Sequence, residues 1–149
     1  MKRLSELDEC FKKGLIRKIP ASEEKALKSM AKADRWLKEA KKNLEHDLLD
    51  SCLVSSYSAM FHAARALLFR DGLREKSHYC VARYLEEKYV GGGKLPRVVV
   101  DLLDRLRNLR HTDLYQLDFF ATKEEAEEAI KSAGIVIEEI THLVKKGKR

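Results

Sequence analysis

The apolar residues of this chain fall on helical spacings almost from end to end. Ala26, Met30, Ala33, Leu37, Ala40 and Leu44 alternate intervals of four and three, the seam of a long helix packed against a nearly parallel neighbour. Ser22 stands ahead of them as a cap, with Glu23 and Glu24 at the positive end of the helix dipole, so a helix is predicted over residues 22–46. Its partner is LLDSCLVSSYSAMFHAARALLFRDG, where apolar and small residues occupy nearly every face, as in a helix surrounded by others. Ser55, Ser56, Ser58, Ala59, Ala63 and Ala64 allow close backbone approach, and Gly72 ends the run. A third seam, Ala126, Ile130, Ala133, Ile137, Ile140 and Val144, follows a capping box from Thr122 to Glu125.

Shorter helices fill the rest. Residues 3–17 carry Leu4, Leu7, Phe11 and Leu15 on one face before Pro20 stops them. Ser77 caps HYCVARYLEEKYV, which the glycines Gly91 to Gly93 close. Lys94, Leu95 and Pro96 open RVVVDLLDRLRNLRH, with proline suited to a first turn and Val98, Leu102, Leu106 and Leu109 as its apolar stripe. No segment sustains strand alternation and no repeat period appears. The expectation is an all-α, up-and-down helical bundle of about five to six helices in one domain over residues 1–149, with an N-terminal extension helix within 1–20 and a basic tail at 145–149.

Composition narrows the function classes. A chain of 149 residues has room for one continuous core, and only two prolines and seven glycines beside 44% hydrophobic residues favour order. The formal charge of +6 and a pI near 9.2 make RNA or a nucleotide a fitting partner. Cys10, Cys52 and Cys80 stand far apart; an odd count without C-x-x-C spacing argues against a disulfide framework and a zinc site, so all three read as reduced core or boundary residues. The basic start is soon interrupted by acids, unlike a signal peptide, and no run approaches a membrane span. A cytoplasmic protein that needs neither membrane, metal nor cofactor is expected.

Several residues could carry chemistry. GGGK lacks the earlier glycine, the Ser or Thr and the preceding strand of a phosphate-binding loop, and reads as a helix connection. His62 and Arg65 lie a turn apart in an apolar helix, so their polar atoms must be paired or wet; they are either a buried, hydrogen-bonded pair or support for an active cleft. His78 follows a cap, where a protonated imidazole is disfavoured by the helix dipole, and Tyr57, Tyr79, Tyr84 and Tyr89 read as core or boundary aromatics. The densest cluster is RLRNLRHTDLY, residues 105–115. Spacings of three and four place Arg107, Arg110 and His111 in one cationic sector, and Arg105 one turn before Asn108. Arginine forks hold phosphate oxygens in paired bonds, and histidine can take and return a proton near neutral pH. Asp101, Asp104 and Asp113 are near enough to neutralise the arginines instead, which would make this a charge-laced helix end.

Taken together, ALKSMAKADRWLKEAKKNLE, then DLLDSCLVSSYSAMFHAARALLFRDGLREKSHYCVARYLEE, then the arginine-rich helix end with DLY, then TKEEAEEAIKSAGIVIEEI resemble the HEPN domain family (higher eukaryotes and prokaryotes nucleotide-binding) from Ser22 onward. The resemblance implies a homodimeric helical bundle, often encoded beside a minimal nucleotidyltransferase, with many members acting as metal-independent ribonucleases in toxin–antitoxin systems. Their signature is an arginine, commonly followed by a polar residue, then a histidine after four to six residues. Arg105 and His111 meet that spacing, but Leu106 follows Arg105; Arg107 has the polar neighbour, Asn108, but lies too close to His111. A second alignment sets Arg110 and Tyr115 on an arginine-to-tyrosine pattern of non-toxin members. In some relatives a tyrosine near the histidine is adenylylated by the partner, and Tyr115 is the matching residue here. Two expectations stand side by side: a toxin-like endoribonuclease using His111 with Arg105 or Arg107, and a non-catalytic module gripping a nucleotide or a protein partner. Both require these side chains to converge on one open hollow.

Overall fold

In the computed structural model, which describes residues 4–146, the two longest seams become the helices α2 (Glu23–Glu45) and α6 (Lys123–Lys146), packed on the central α3 (Leu49–Arg70). The seams point inward: Ala26, Met30, Ala33 and Ala40 of α2 and Ala126, Ala133, Ile137, Ile140 and Val144 of α6 are buried. Small α3 residues let the three backbones approach, with Ala59, Ala63, Ala64 and Ala66 fully buried. A three-residue link, with Asp47 at φ 57°, folds α3 back against α2. The expected caps are made: the Ser22 hydroxyl accepts from the Lys25 N–H, and Thr122 and Glu125 form a reciprocal box. The fold is an all-α bundle of the kind the periodicity predicts.

Three features depart from the expectations. The N-terminal helix α1 is only Glu6–Lys12, and residues that were expected to extend it form a strand, β1 (Ile16–Lys18), antiparallel to β2 (Leu73–Glu75). Three-residue strands are too short for an alternation to register. Gly72, at φ 78°, feeds β2; a side chain there would meet the Ile19 carbonyl at 2.9 Å. Second, Cys10 of α1 and Cys80 of α4 (His78–Leu85) form a disulfide, correcting the expectation of three reduced cysteines. The pairing spans 70 residues and arises because α1 packs on α4, so local spacing carried no trace of it. Cys52 is the free, buried cysteine. Third, the apolar stripe of α5 (Arg97–His111) runs through Val99, Leu103 and Leu106, while Val98 is exposed. The run of three valines leaves the helix phase ambiguous, and packing against α3 and α4 decides it.

Between α4 and α5 the chain makes a π-helical turn, Glu86–Val90, before Gly91 to Gly93. No helix among the described residues is long and apolar enough to cross a membrane. Of the basic tail, residues 147–149 lie outside the described residues.

Candidate functional site at the end of α5

The last turn of α5 lies over the start of α4 and the middle of α3, and this crossing assembles the site. Ser77 fixes the start of α4, its hydroxyl accepting from the Cys80 N–H. His78 is therefore the first helical residue and is held against α3. Its ring stacks on Phe61 at 3.8 Å between centroids, and its Nδ1 lies 2.7 Å from the Tyr57 hydroxyl. Tyr57 and Phe61 share a face of α3, one turn apart. His111, the exposed last residue of α5, meets His78 edge-on at 6.2 Å.

The electrostatics follow from burial among cations. The His78 pKa is lowered, first by burial and then by His111, Arg110 and Arg65, against the opposing pull of Glu75. Burial pushes the Tyr57 phenol up to about 12, although Arg107 and Arg110 draw it back. At neutral pH the pair is thus an uncharged phenol bonded to an uncharged imidazole. When the Tyr57 hydroxyl donates to Nδ1, the ring hydrogen sits on Nε2.

The arginines of the cluster are used differently. Arg107 donates to Asp104 Oδ1 at 2.7 Å, and Asp104 also binds Arg83. Both guanidiniums lie over the Tyr79 ring, at 4.7 Å for Arg83 and 5.2 Å for Arg107. Arg110 lies 5.8 Å from the Tyr57 ring centroid and has a buried Nε without a hydrogen-bond partner among the described residues. Together with Tyr115, Leu114, Asp50 and Ser51 it lines a hollow of about 450 Å³. Tyr115, in the short turn Asp113–Tyr115 after α5, is 77% exposed. Asn108 is exposed. Arg105 lies apart, on the groove between α5 and α6, beside Glu124, Glu125 and Glu128. Of the expected site residues, Arg107, Arg110 and His111 lie around Tyr57, His78 and Tyr79, while Arg105 lies beside glutamates on the other groove. The reason is angular, since six residues along a helix turn Arg105 well away from His111 while four bring Arg107 close to its direction.

His62 and Arg65 also part ways. Arg65 donates through Nε and Nη2 to the buried Glu75 and stacks over Phe61 at 4.7 Å. His62 is half-buried and meets Phe61 edge-on at 5.7 Å, and burial with Arg65 and Lys32 lowers its pKa to about 4. Sequence reasoning missed the grouping of His78, Tyr57 and Tyr79 with the α5 cluster. The available signal was the Ser77–His78 cap and the one-turn spacing of Tyr57 and Phe61.

This arrangement sits within a recognised frame: the HEPN domain family matches residues 26–143, and the chain belongs to it. Among similar proteins, a protein of Methanocaldococcus jannaschii whose name designates it a candidate toxin is 30% identical over 133 residues, covering 89% of this chain and 97% of that protein. A UPF0332 protein of Archaeoglobus fulgidus is 29% identical over 121 residues, 78% of this chain and 93% of that one.

Proposed function

We propose that the chain is a toxin-like, metal-independent endoribonuclease whose site lies between α3, α4 and the end of α5. The observation that carries this reading is the meeting of an exposed imidazole, His111, with a neutral imidazole, His78, beside Arg110, which lines an open hollow. A phosphodiester entering that hollow can meet the Arg110 guanidinium with its oxygens. The relative designated a candidate toxin supports the same assignment.

In this mechanism Arg110 holds the scissile phosphate, and Arg107, fixed by Asp104, adds positive field. His111 removes the ribose 2′-hydroxyl proton, and the 2′-oxygen attacks phosphorus. The bond from phosphorus to the 5′-oxygen breaks, leaving a 2′,3′-cyclic phosphate, and the departing 5′-oxygen takes a proton from water. The arginines stabilise the charge that gathers on the phosphoryl oxygens. His78 donates its Nε2–H to that phosphate, held in this tautomer by Tyr57. In a homodimer, a second cluster facing the first would add to the cationic field.

Purified protein incubated with RNA in the presence of a chelator is expected to yield cyclic-phosphate ends. His111→Ala is expected to slow this by about 10²- to 10⁴-fold, the usual contribution of a positioned general base. Intact RNA, or unchanged cleavage by the variant, contradicts the proposal.

The hollow shared by Arg110 and Tyr115 favours a second reading, in which the chain binds a nucleotide without cleaving RNA and partners a minimal nucleotidyltransferase. Its test is equilibrium binding of ATP to wild type and Arg110→Ala: binding that depends on Arg110, in a protein that leaves RNA intact, selects this reading.

A further inference from the structure

Apart from the site, α2 and α3 line an open groove of about 200 Å³. Its walls are Lys25, Lys28 and Lys32 from α2 and His62, Arg65 and Phe69 from α3. The lysines are spaced three and four apart, on one face of α2 and spread over about 10 Å of its axis. Lys28 pairs with Glu24 at 3.1 Å on the open surface, an interaction of little strength. Lys25 and Lys32 take part in no ion pair among the described residues. Arg65 is different: Glu75 and the rings of Phe61 and Phe69 fix its plane, and its bonds to Glu75 use Nε and Nη2, leaving Nη1. His62, neutral at ordinary pH, adds a hydrogen-bonding group without further charge. Among the described residues no carboxylate lines the groove itself, while Glu24 and Glu75 pair with its Lys28 and Arg65. The groove thus presents an oriented guanidinium edge beside three ammonium groups.

We propose that this groove is a second phosphate subsite, holding the backbone of single-stranded RNA next to the segment engaged at the α5 site. The inference rests on the ribonuclease reading and adds an outer contact to it. Proximity of the two places is what favours RNA: the buried Phe61 stacks on His78 at 3.8 Å and meets His62, on the groove, edge-on at 5.7 Å. A polyanion with regularly spaced phosphates can occupy both at once, and a compact anion cannot.

The test uses full-length protein carrying His111→Ala and a fluorescently labelled RNA oligonucleotide of about 12 nucleotides, with binding read by anisotropy over a range of salt concentrations. Adding Lys28→Gln and Lys32→Gln is expected to weaken binding about tenfold and to flatten the slope of log K against log salt by about 1.4, at about 0.7 for each phosphate contact on a single strand. Arginine at both positions should restore most of the affinity. A control with Lys38→Gln and Lys41→Gln, exposed α2 lysines outside the groove, makes the same charge change elsewhere. Equal binding by the groove variant and its parent overturns the subsite and leaves the cleavage reading standing. Equal losses in groove and control variants also overturn it, as a general charge effect. A parent protein that binds no RNA removes the subsite and the ribonuclease reading together.

Discussion

The two flanks of α5 carry the same residue type in opposite surroundings. On one, Arg107 and Arg110 face aromatic rings and two imidazoles, with the carboxylate of Asp104 committed to Arg83 and Arg107. On the other, Arg105 shares a groove with Glu124, Glu125 and Glu128. The first flank sets two guanidiniums and two imidazoles around one shared carboxylate; the second sets one guanidinium among three carboxylates. What an arginine can do here is set by the element across the helix, and its spacing from a histidine along the chain is a poor guide. Two residues that satisfy a motif by count, Arg105 and His111, face different neighbours.

That contrast can be broken or sharpened by substitution. The largest effect belongs to His111→Ala, already given, because it removes the only exposed imidazole of the cluster. A smaller effect belongs to Tyr57→Phe, which deletes the hydroxyl bonded to His78 Nδ1. Loss of one hydrogen bond worth about 1 kcal/mol should slow RNA cleavage by roughly five- to tenfold. The lower arm of the pH–rate profile should also move, because the tautomer of His78 is no longer fixed. A profile and rate equal to wild type would show that Tyr57 does not position His78.

A still smaller effect concerns stability. His62 has its pKa lowered to about 4 and His78 is lowered as well, chiefly by burial, whereas both take up protons near 6.5 when unfolded. The unfolded chain therefore binds more protons between about pH 4 and 6.5, so folding stability is full above that window and is lost as pH falls through it. Because both rings are partly exposed, the effect is modest: thermal denaturation should fall by roughly 2–5 °C more between pH 7 and pH 5 in wild type than in His62→Gln. Identical pH dependence in the two proteins would contradict the assignment to His62.

Much of the fold was legible because it is written in periodicity. The four-three seams of α2 and α6 and the caps at Ser22, Ser77 and Thr122 are local signals, and the structure uses them. Features made by distant contacts were not legible. The Cys10–Cys80 bond and the β1–β2 pairing each join segments that meet only once the bundle has closed. The site shows the same division. Arg107, Arg110 and His111 could be gathered from the helix repeat, but His78 enters from α4 and Tyr57 from α3, and the sequence holds no record of that crossing. His78 was set aside because a cation is disfavoured at a helix start; the structure keeps it neutral there and places it in the cluster.

The most direct test of the asymmetry of α5 is a side-by-side comparison of RNA cleavage by Arg110→Ala and Arg105→Ala. Removing a donor to the developing phosphoryl charge should cost Arg110→Ala about 10²- to 10³-fold in rate, while Arg105→Ala should stay within about twofold of wild type, the scale of an exposed surface charge. Loss of cleavage on replacing Arg105 with retention on replacing Arg110 would contradict the account.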